Sequence, residues 1–338
     1  MSEAFVALPR ITATGLRRRA GVAGIPRSLP DHPAIAPLRA HLIDPEVTDV
    51  FVNGTDGLYV DRGRGAEAVE GWRCEPDEVR ALAVALVGIG GRHLDDATPC
   101  VDVRWEHGAR VHAVLPPVAR SGTVISIRLP SPQVLSLDDL ERRGSIDPRM
   151  RAQLERLIAD RVNVLVSGST GAGKTTLLGA MLSRVPGGER IVTIEDVAEL
   201  RLEHPHHVSL EARQANLEGA GEIALPRLVR EALRMRPDRL VVGECRGAEV
   251  RELLTALNTG HDGGAGTVHA SGVADVPARL EALGALAGWD DRVVARQVAS
   301  AIGAIVHVAR RSDGTRVVTD LARPVIVGDR LGIEEVAV

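Results

Sequence analysis

Eight residues constrain this chain more than any others: Gly168-Ser169-Thr170-Gly171-Ala172-Gly173-Lys174-Thr175. Their spacing is that of a phosphate-cradling P-loop, which works only between a buried strand and the start of a helix. A nest of backbone N–H groups wraps the α- and β-phosphates, and one slim cationic stem reaches the outer oxygens. Lys174 is the sole lysine, so forty of the 41 basic residues are arginines. A composition given over to arginine keeps an ammonium at the one place where a planar guanidinium fork would be too wide. Residues 162–183 therefore read as strand, nucleoside-triphosphate loop and helix, with Thr176 on the first turn.

The pattern downstream alternates. Strands are expected at 190–194, 207–211, 240–243, 266–269 and 304–308, and helices at 225–235, 248–258, 274–287 and 291–300. Such alternation implies a parallel sheet covered on both faces. Upstream, alternating runs at 48–53 and 58–61 flank the turn Asn53-Gly54-Thr55-Asp56-Gly57. A helical period at 75–89 ends in Gly90-Gly91, and strand-like stretches follow at 101–105, 109–115 and 123–128. This is a small sheet with a covering helix. Leu129-Pro130-Ser131-Pro132 then opens a polar, helix-like connector to Arg143. The expected division is an irregular Pro-, Gly- and Arg-rich lead-in at 1–37 that contains Arg17-Arg18-Arg19, an N-terminal α/β domain at 38–128, a linker at 129–144 and a C-terminal domain at 145–338.

Bulk properties narrow the function classes. A net charge of −4 and six aromatics argue against a nucleic-acid coat or a base-stacking track. Three scattered cysteines point to a reducing compartment and offer no zinc-binding pair. No apolar run approaches the roughly 18–20 residues a membrane helix needs, and Met1-Ser2-Glu3-Ala4-Phe5 lacks the basic start of a signal peptide. A cytosolic protein is expected, with any membrane contact peripheral.

Three clusters accompany the loop. Thr175 supplies the hydroxyl expected on Mg²⁺ and Lys174 the charge against the γ-phosphate. Glu195 and Asp196 end an apolar strand, where open α/β sheets face their ligands. Glu195 is placed to orient or deprotonate water; the plainer reading is an acidic helix cap. Leu240-Val241-Val242-Gly243-Glu244 is a second strand ending in an acid, with Gly243 where many P-loop proteins carry the aspartate of the Mg²⁺ site. Glu244 is left to polarise water or steady the metal shell, with Arg246 as a partner; a capped strand end is the alternative. Finally, the glycine-rich stretch 258–269 carries His261 and His269, either of which near the γ-phosphate would sense hydrolysis. His204, His206 and His207 read as structural or solvated.

Taken in order, these motifs resemble the secretion-ATPase family that powers type II and type IV secretion and type IV pili, in which Gly243-Glu244 is the family's own pattern. Within it the chain looks most like the tight-adherence (Tad, Flp pilus) branch, often called CpaF-like, through Val52-Asn53-Gly54, Arg110-Val111-His112-Ala113-Val114-Leu115-Pro116-Pro117, Ile125-Ser126-Ile127-Arg128, Arg234-Met235-Arg236-Pro237-Asp238-Arg239 and Asn258-Thr259-Gly260-His261-Asp262-Gly263. The resemblance implies a RecA-like P-loop ATPase domain joined to a smaller α/β domain of PAS-like build. It implies a homohexameric ring, ATP and Mg²⁺ bound between the domains, and an inner-membrane platform as partner, without specific nucleic acid. It carries Arg110 and Arg128, with Arg104 behind them, to the γ-phosphate, and Thr175, Glu195, Asp196 and Glu244 to the metal shell. Residues 1–37 do not read as the long helical N-terminal extension of many relatives, so a different platform docking or ring geometry is expected. The absent cysteine quartet speaks against the zinc-carrying motors. The alternatives are an export ATPase for DNA or effectors, a RecA-like nucleic-acid translocase, and an ATP-binding scaffold without turnover.

Overall fold

The computed structural model describes residues 29–63, 65–105, 108–130, 134–213 and 221–336. Most of the lead-in, including Arg17-Arg18-Arg19, lies outside them. A 3-10 turn at Pro33–Ile35 and α1 (Arg39–Leu42) precede β1 (Asp49–Asn53), β2 (Leu58–Asp61), β3 (Ala66–Ala68), α2 (Pro76–Ile89), β4 (Cys100–Arg104), β5 (Arg110–Val114) and β6 (Val124–Arg128). These strands form an antiparallel sheet in the order β3-β2-β1-β6-β5-β4. Burial alternates along β1, β5 and β6, so one face packs on α2. Trp105 is buried there, and its Nε1 donates to the Leu86 carbonyl of α2 at 3.0 Å. The core already takes in Ile35, fully buried inside the stretch expected to be irregular.

The connector folds into its neighbour. Ser136 caps α3 (Leu137–Arg142) in a capping box with Asp139, and Leu137 and Leu140 join the core of the larger sheet. The remaining elements are α4 (Pro148–Ala159), β7 (Val164–Gly168), α5 (Lys174–Leu182), β8 (Ile191–Glu195), β9 (His207–Glu211), α6 (Leu225–Leu233), β10 (Arg239–Val242), α7 (Glu249–Leu257), β11 (Ala265–His269), α8 (Val276–Leu286), α9 (Asp291–Ala301), β12 (Ala304–Arg310), β13 (Arg316–Val327) and β14 (Arg330–Glu335). The sheet order is β14-β13-β12-β7-β11-β10-β8-β9, parallel from β12 to β9 and antiparallel through β13 and β14. Side chains of β7 and β10 divide between two cores. Val164, Val166 and Val241 face α3, α4 and α5, whereas Leu165, Leu240 and Val242 face α6 to α9.

Five helices and strands escaped the sequence reading, of which α1 is a single short turn of four residues. α4 carried a legible start, the Asp147 cap before Pro148, and apolar Met150, Leu154 and Ile158 four residues apart. β3, β13 and β14 are ladder strands at or near sheet edges. Their burial patterns are open or broken, so no clean period marks them.

Candidate nucleotide site between the two sheets

Parallel register gathers the motifs at one edge of the larger sheet. Gly168 at the end of β7 lies opposite His269 at the end of β11, and Val242 opposite both Gly266 and Ile194. Thr170 to Thr176, Glu244 and His269 accordingly line one cleft of about 660 Å³. Gly168 is tied to its neighbour strand: a Cβ there would stand 2.3 Å from the Val308 carbonyl oxygen. Gly171 and Gly173 hold φ of +72° and +102°, and Gly173 leads into α5 with no side-chain cap on its first N–H groups. Such a helix start suits an anion.

Lys174 is buried, and its Nζ donates to the carbonyl oxygens of Gly168 and Ser169, both at 3.0 Å. It also lies 3.1 Å from His269 Nδ1. An ammonium only donates, so Nδ1 is the acceptor and the ring proton is assigned to Nε2. That nitrogen is 2.6 Å from Glu244 Oε1, while Glu244 Oε2 accepts from Arg246 Nη2 at 2.6 Å. Lys174, His269, Glu244 and Arg246 thus stand in close succession, although Glu244 Oε1 has no hydrogen-bond partner despite its proximity to His269. Burial draws Lys174 below the ordinary lysine range, with Arg246 and Arg128 adding to the pull and Glu244 opposing it. Burial raises Glu244, but the Arg246 hydrogen bond and the charges of Arg246, His269 and Lys174 outweigh it and hold the carboxyl below its usual range. His269 is lowered by burial and then by Lys174. A deprotonated carboxylate beside a neutral imidazole and an ammonium can polarise water against a phosphate.

Glu195 is placed otherwise. It is 4 % exposed and does not line the cleft. Its Oε1 accepts the backbone N–H groups of Glu199 and Leu200 at 3.1 and 3.0 Å, and its Oε2 is buried without a hydrogen-bond partner. Burial pushes its carboxyl up to about 7 against those two N–H groups. The side chain rests on Gly243, where a Cβ would meet Glu195 Cγ at 2.4 Å. The missing Walker B aspartate thus has a packing cause: no side chain fits between this strand end and Glu195. Asp196 is exposed, its carboxyl raised chiefly by desolvation, and it also stays off the cleft wall. Of the four residues expected around the metal, Thr175 and Glu244 face the cleft.

The N-terminal sheet supplies the other wall. Cross-strand pairs Arg104–Arg110, Arg110–Arg128, Arg128–Asp49 and Asp49–Asp61 make one row over five strands on the face turned from α2. Arg110, Arg128, Asp49 and Asp61 all line the cleft. Arg110 Nε is 3.0 Å from both Asp102 oxygens. Arg104 does not reach the cleft wall. It binds Glu211 of β9 and donates to the Ala198 carbonyl at 2.9 Å, joining the domains beside the cleft.

His261 does not stand near the loop. Gly264, three residues on, pairs with Asn163 and Val164 at the start of β7, so the segment 258–264 lies at the opposite edge of the sheet. His261 Nδ1 sits 3.2 Å from the Ala256 carbonyl oxygen. Gly263 and Gly264 serve packing: a Cβ on Gly263 would fall 2.0 Å from buried Arg239 Nη1, and one on Gly264 2.4 Å from Leu257 Cδ2. His207 rests on Thr193 Oγ1 at 2.9 Å and His206 on Arg190 at 2.9 Å, both structural.

A phosphate loop on a mixed α/β sheet, facing an acid, a histidine and arginines from a second domain, defines a P-loop ATPase of RecA-like fold. The family model for type II/IV secretion system proteins matches residues 34–322, and the chain belongs to that family. It is 50% identical over 281 residues to a protein of Mycobacterium tuberculosis named for conjugal transfer, covering 81% of this chain and 80% of that one. It is 30% identical over 267 residues to the type IV secretion system protein VirB11 of Brucella suis, covering 70% and 72%. The crystal structure of the pilus retraction motor PilT with bound ADP superposes with a TM-score of 0.58 at 20% identity, over 88% of this chain and 81% of that one, a likeness of fold. No helix among the described residues is long and apolar enough to cross a membrane.

Proposed function

We propose that this ATPase is a ring-forming motor that turns ATP hydrolysis into movement of one domain against the other and so drives an inner-membrane platform in a tight-adherence type pilus or secretion machine. The observation that carries the reading is the shared cleft. Lys174, Glu244 and His269 from one domain face Arg110 and Arg128 from the other. In this reading Lys174 and the 168–176 loop hold the phosphates, Glu244 polarises the attacking water, and His269 relays the state of Glu244 to Lys174. Arg110 and Arg128 meet the charge that develops on the γ-phosphate. Thr175 and Glu244 would hold Mg²⁺, which neutralises phosphate charge when bound; Glu195 and Asp196 support the strand end behind them. The protein works in the cytoplasm against the membrane face, as a homohexamer.

A second reading, export of DNA or effectors through a type IV secretion channel, is favoured by the relatives named for conjugal transfer and VirB11. The first experiment is steady-state ATP hydrolysis against protein concentration, with Lys174→Ala as control. Specific activity that rises with concentration and vanishes in the variant supports a ring motor. Turnover that is independent of Lys174 refutes the site. Stimulation by DNA would shift the reading to nucleic-acid export.

A further inference from the structure

The β12–β13 hairpin carries two arginines that no motif accounts for. Arg310, ending β12, and Arg316, beginning β13, are register partners. Like charges set directly opposite each other on a ladder are destabilising, so the placement calls for an anion beside them. Both line the cleft that holds Lys174. Arg316 lies on the phosphate loop itself. Its Nε donates to the Gly171 carbonyl oxygen at 2.9 Å, and its Cδ is 3.2 Å from where a Gly173 Cβ would stand. Arg310 Nη2 crosses to the other domain and donates to the Gly63 carbonyl, in the turn between β2 and β3. Burial and the charge of Arg310 draw Arg316 below the ordinary guanidinium range, and Asp61 is the acid that opposes them. Since β12 and β11 flank β7 on opposite sides, the hairpin meets the loop from the side away from Glu244 and His269.

We propose that Arg316 is a nucleotide-binding residue supplied in cis by this hairpin, contacting the α/β-phosphate stretch, while Arg310 ties the same hairpin to the N-terminal domain. The assignment rests on the ATP reading above. Glutamine is the discriminating substitution, because it keeps a donor for the Gly171 carbonyl but removes the charge. A residue that only braces the loop would survive it.

The test is equilibrium binding of ATP and ADP to the full chain, Arg316→Gln, Arg316→Lys and Lys174→Ala, with thermal midpoints measured without nucleotide. Loss of a charged hydrogen bond to phosphate predicts that Arg316→Gln raises both Kd values about tenfold. Arg316→Lys should recover part of that loss, and the nucleotide-free midpoint should stay unchanged. Unchanged Kd values in Arg316→Gln, with binding lost in Lys174→Ala, overturn this proposal alone. Weaker binding that comes with a lowered nucleotide-free midpoint also overturns it, in favour of a bracing role. Absence of Lys174-dependent ATP binding in the parent chain overturns the ATP reading itself.

Discussion

Replacing Gly243 with alanine tests whether the acid at the end of β8 and the glycine before Glu244 are one packing unit. The new Cβ would lie 2.4 Å from Glu195 Cγ, 2.9 Å from its Oε1 and 3.0 Å from its Cδ. Glu195 is 4 % exposed and cannot swing into solvent. It must retreat, and its Oε1 then leaves the N–H groups of Glu199 and Leu200. Overpacking of this kind costs about 1–3 kcal/mol, and a buried donor left unsatisfied about 1–3 kcal/mol. The smaller unfolded-state entropy of alanine returns about 0.4–1 kcal/mol. The net expectation is a loss of roughly 2–4 kcal/mol, a large share of the ~5–15 kcal/mol that stabilises a native protein. Urea midpoints measure it, and Gly243→Ala with Glu195→Ala closes the cycle. Removing the carboxyl makes room for the methyl, so the double variant should be at least ~1 kcal/mol more stable than the sum of the singles. A cost under ~0.5 kcal/mol, or strict additivity, refutes the explanation of the missing aspartate.

Three further outcomes follow from the same geometry. Glu195, unfolded at about 4.5 and folded at about 7, keeps its proton while the unfolded chain loses it. Stability therefore falls as pH rises through that window and levels off above it, by up to about 3 kcal/mol. Urea midpoints at pH 5 and pH 8 should converge in Glu195→Gln, and an unaltered pH dependence would contradict the burial account. Glu244→Gln should slow ATP turnover by ~10²–10³-fold while ATP still binds, because a water-polarising carboxylate is worth about that much; full turnover in a purified variant would remove Glu244 from the chemistry. Lys174→Met should raise the His269 pKa, since the ammonium at Nδ1 is among the groups that lower it. Imidazole ¹⁵N shifts followed by NMR report it, and a fall would contradict the lowering of His269 by the Lys174 charge.

Much of the architecture was legible before any coordinates. The loop at 168–175 demanded a strand before it and a helix after it, and strand-helix alternation beyond it implied the parallel sheet that is observed. Alternating runs at 48–53 and 58–61 and strand-like stretches at 101–105, 109–115 and 123–128 likewise announced the small sheet. These are local signals: spacing, periodicity and turn chemistry are written in neighbouring residues. What the chain does with distant residues was not legible. Sequence order treated Glu195 and Glu244 alike, as acids ending strands, but packing turned one into Gly243 and left the other in the cleft. His261 and His269 belong to one motif, yet the length of β11 puts them at opposite edges of the sheet. Arg104, Arg110 and Arg128 fall in one row only because three strands pair in that register, and the cleft takes two of the three. The arginines of the β12–β13 hairpin carry no motif, and their meaning appears only where the hairpin folds over Gly171. The sequence alone determined that a phosphate loop would sit on a parallel sheet. Strand register and side-chain volume, which depend on contacts between residues far apart in the chain, decided which charged groups reach that loop.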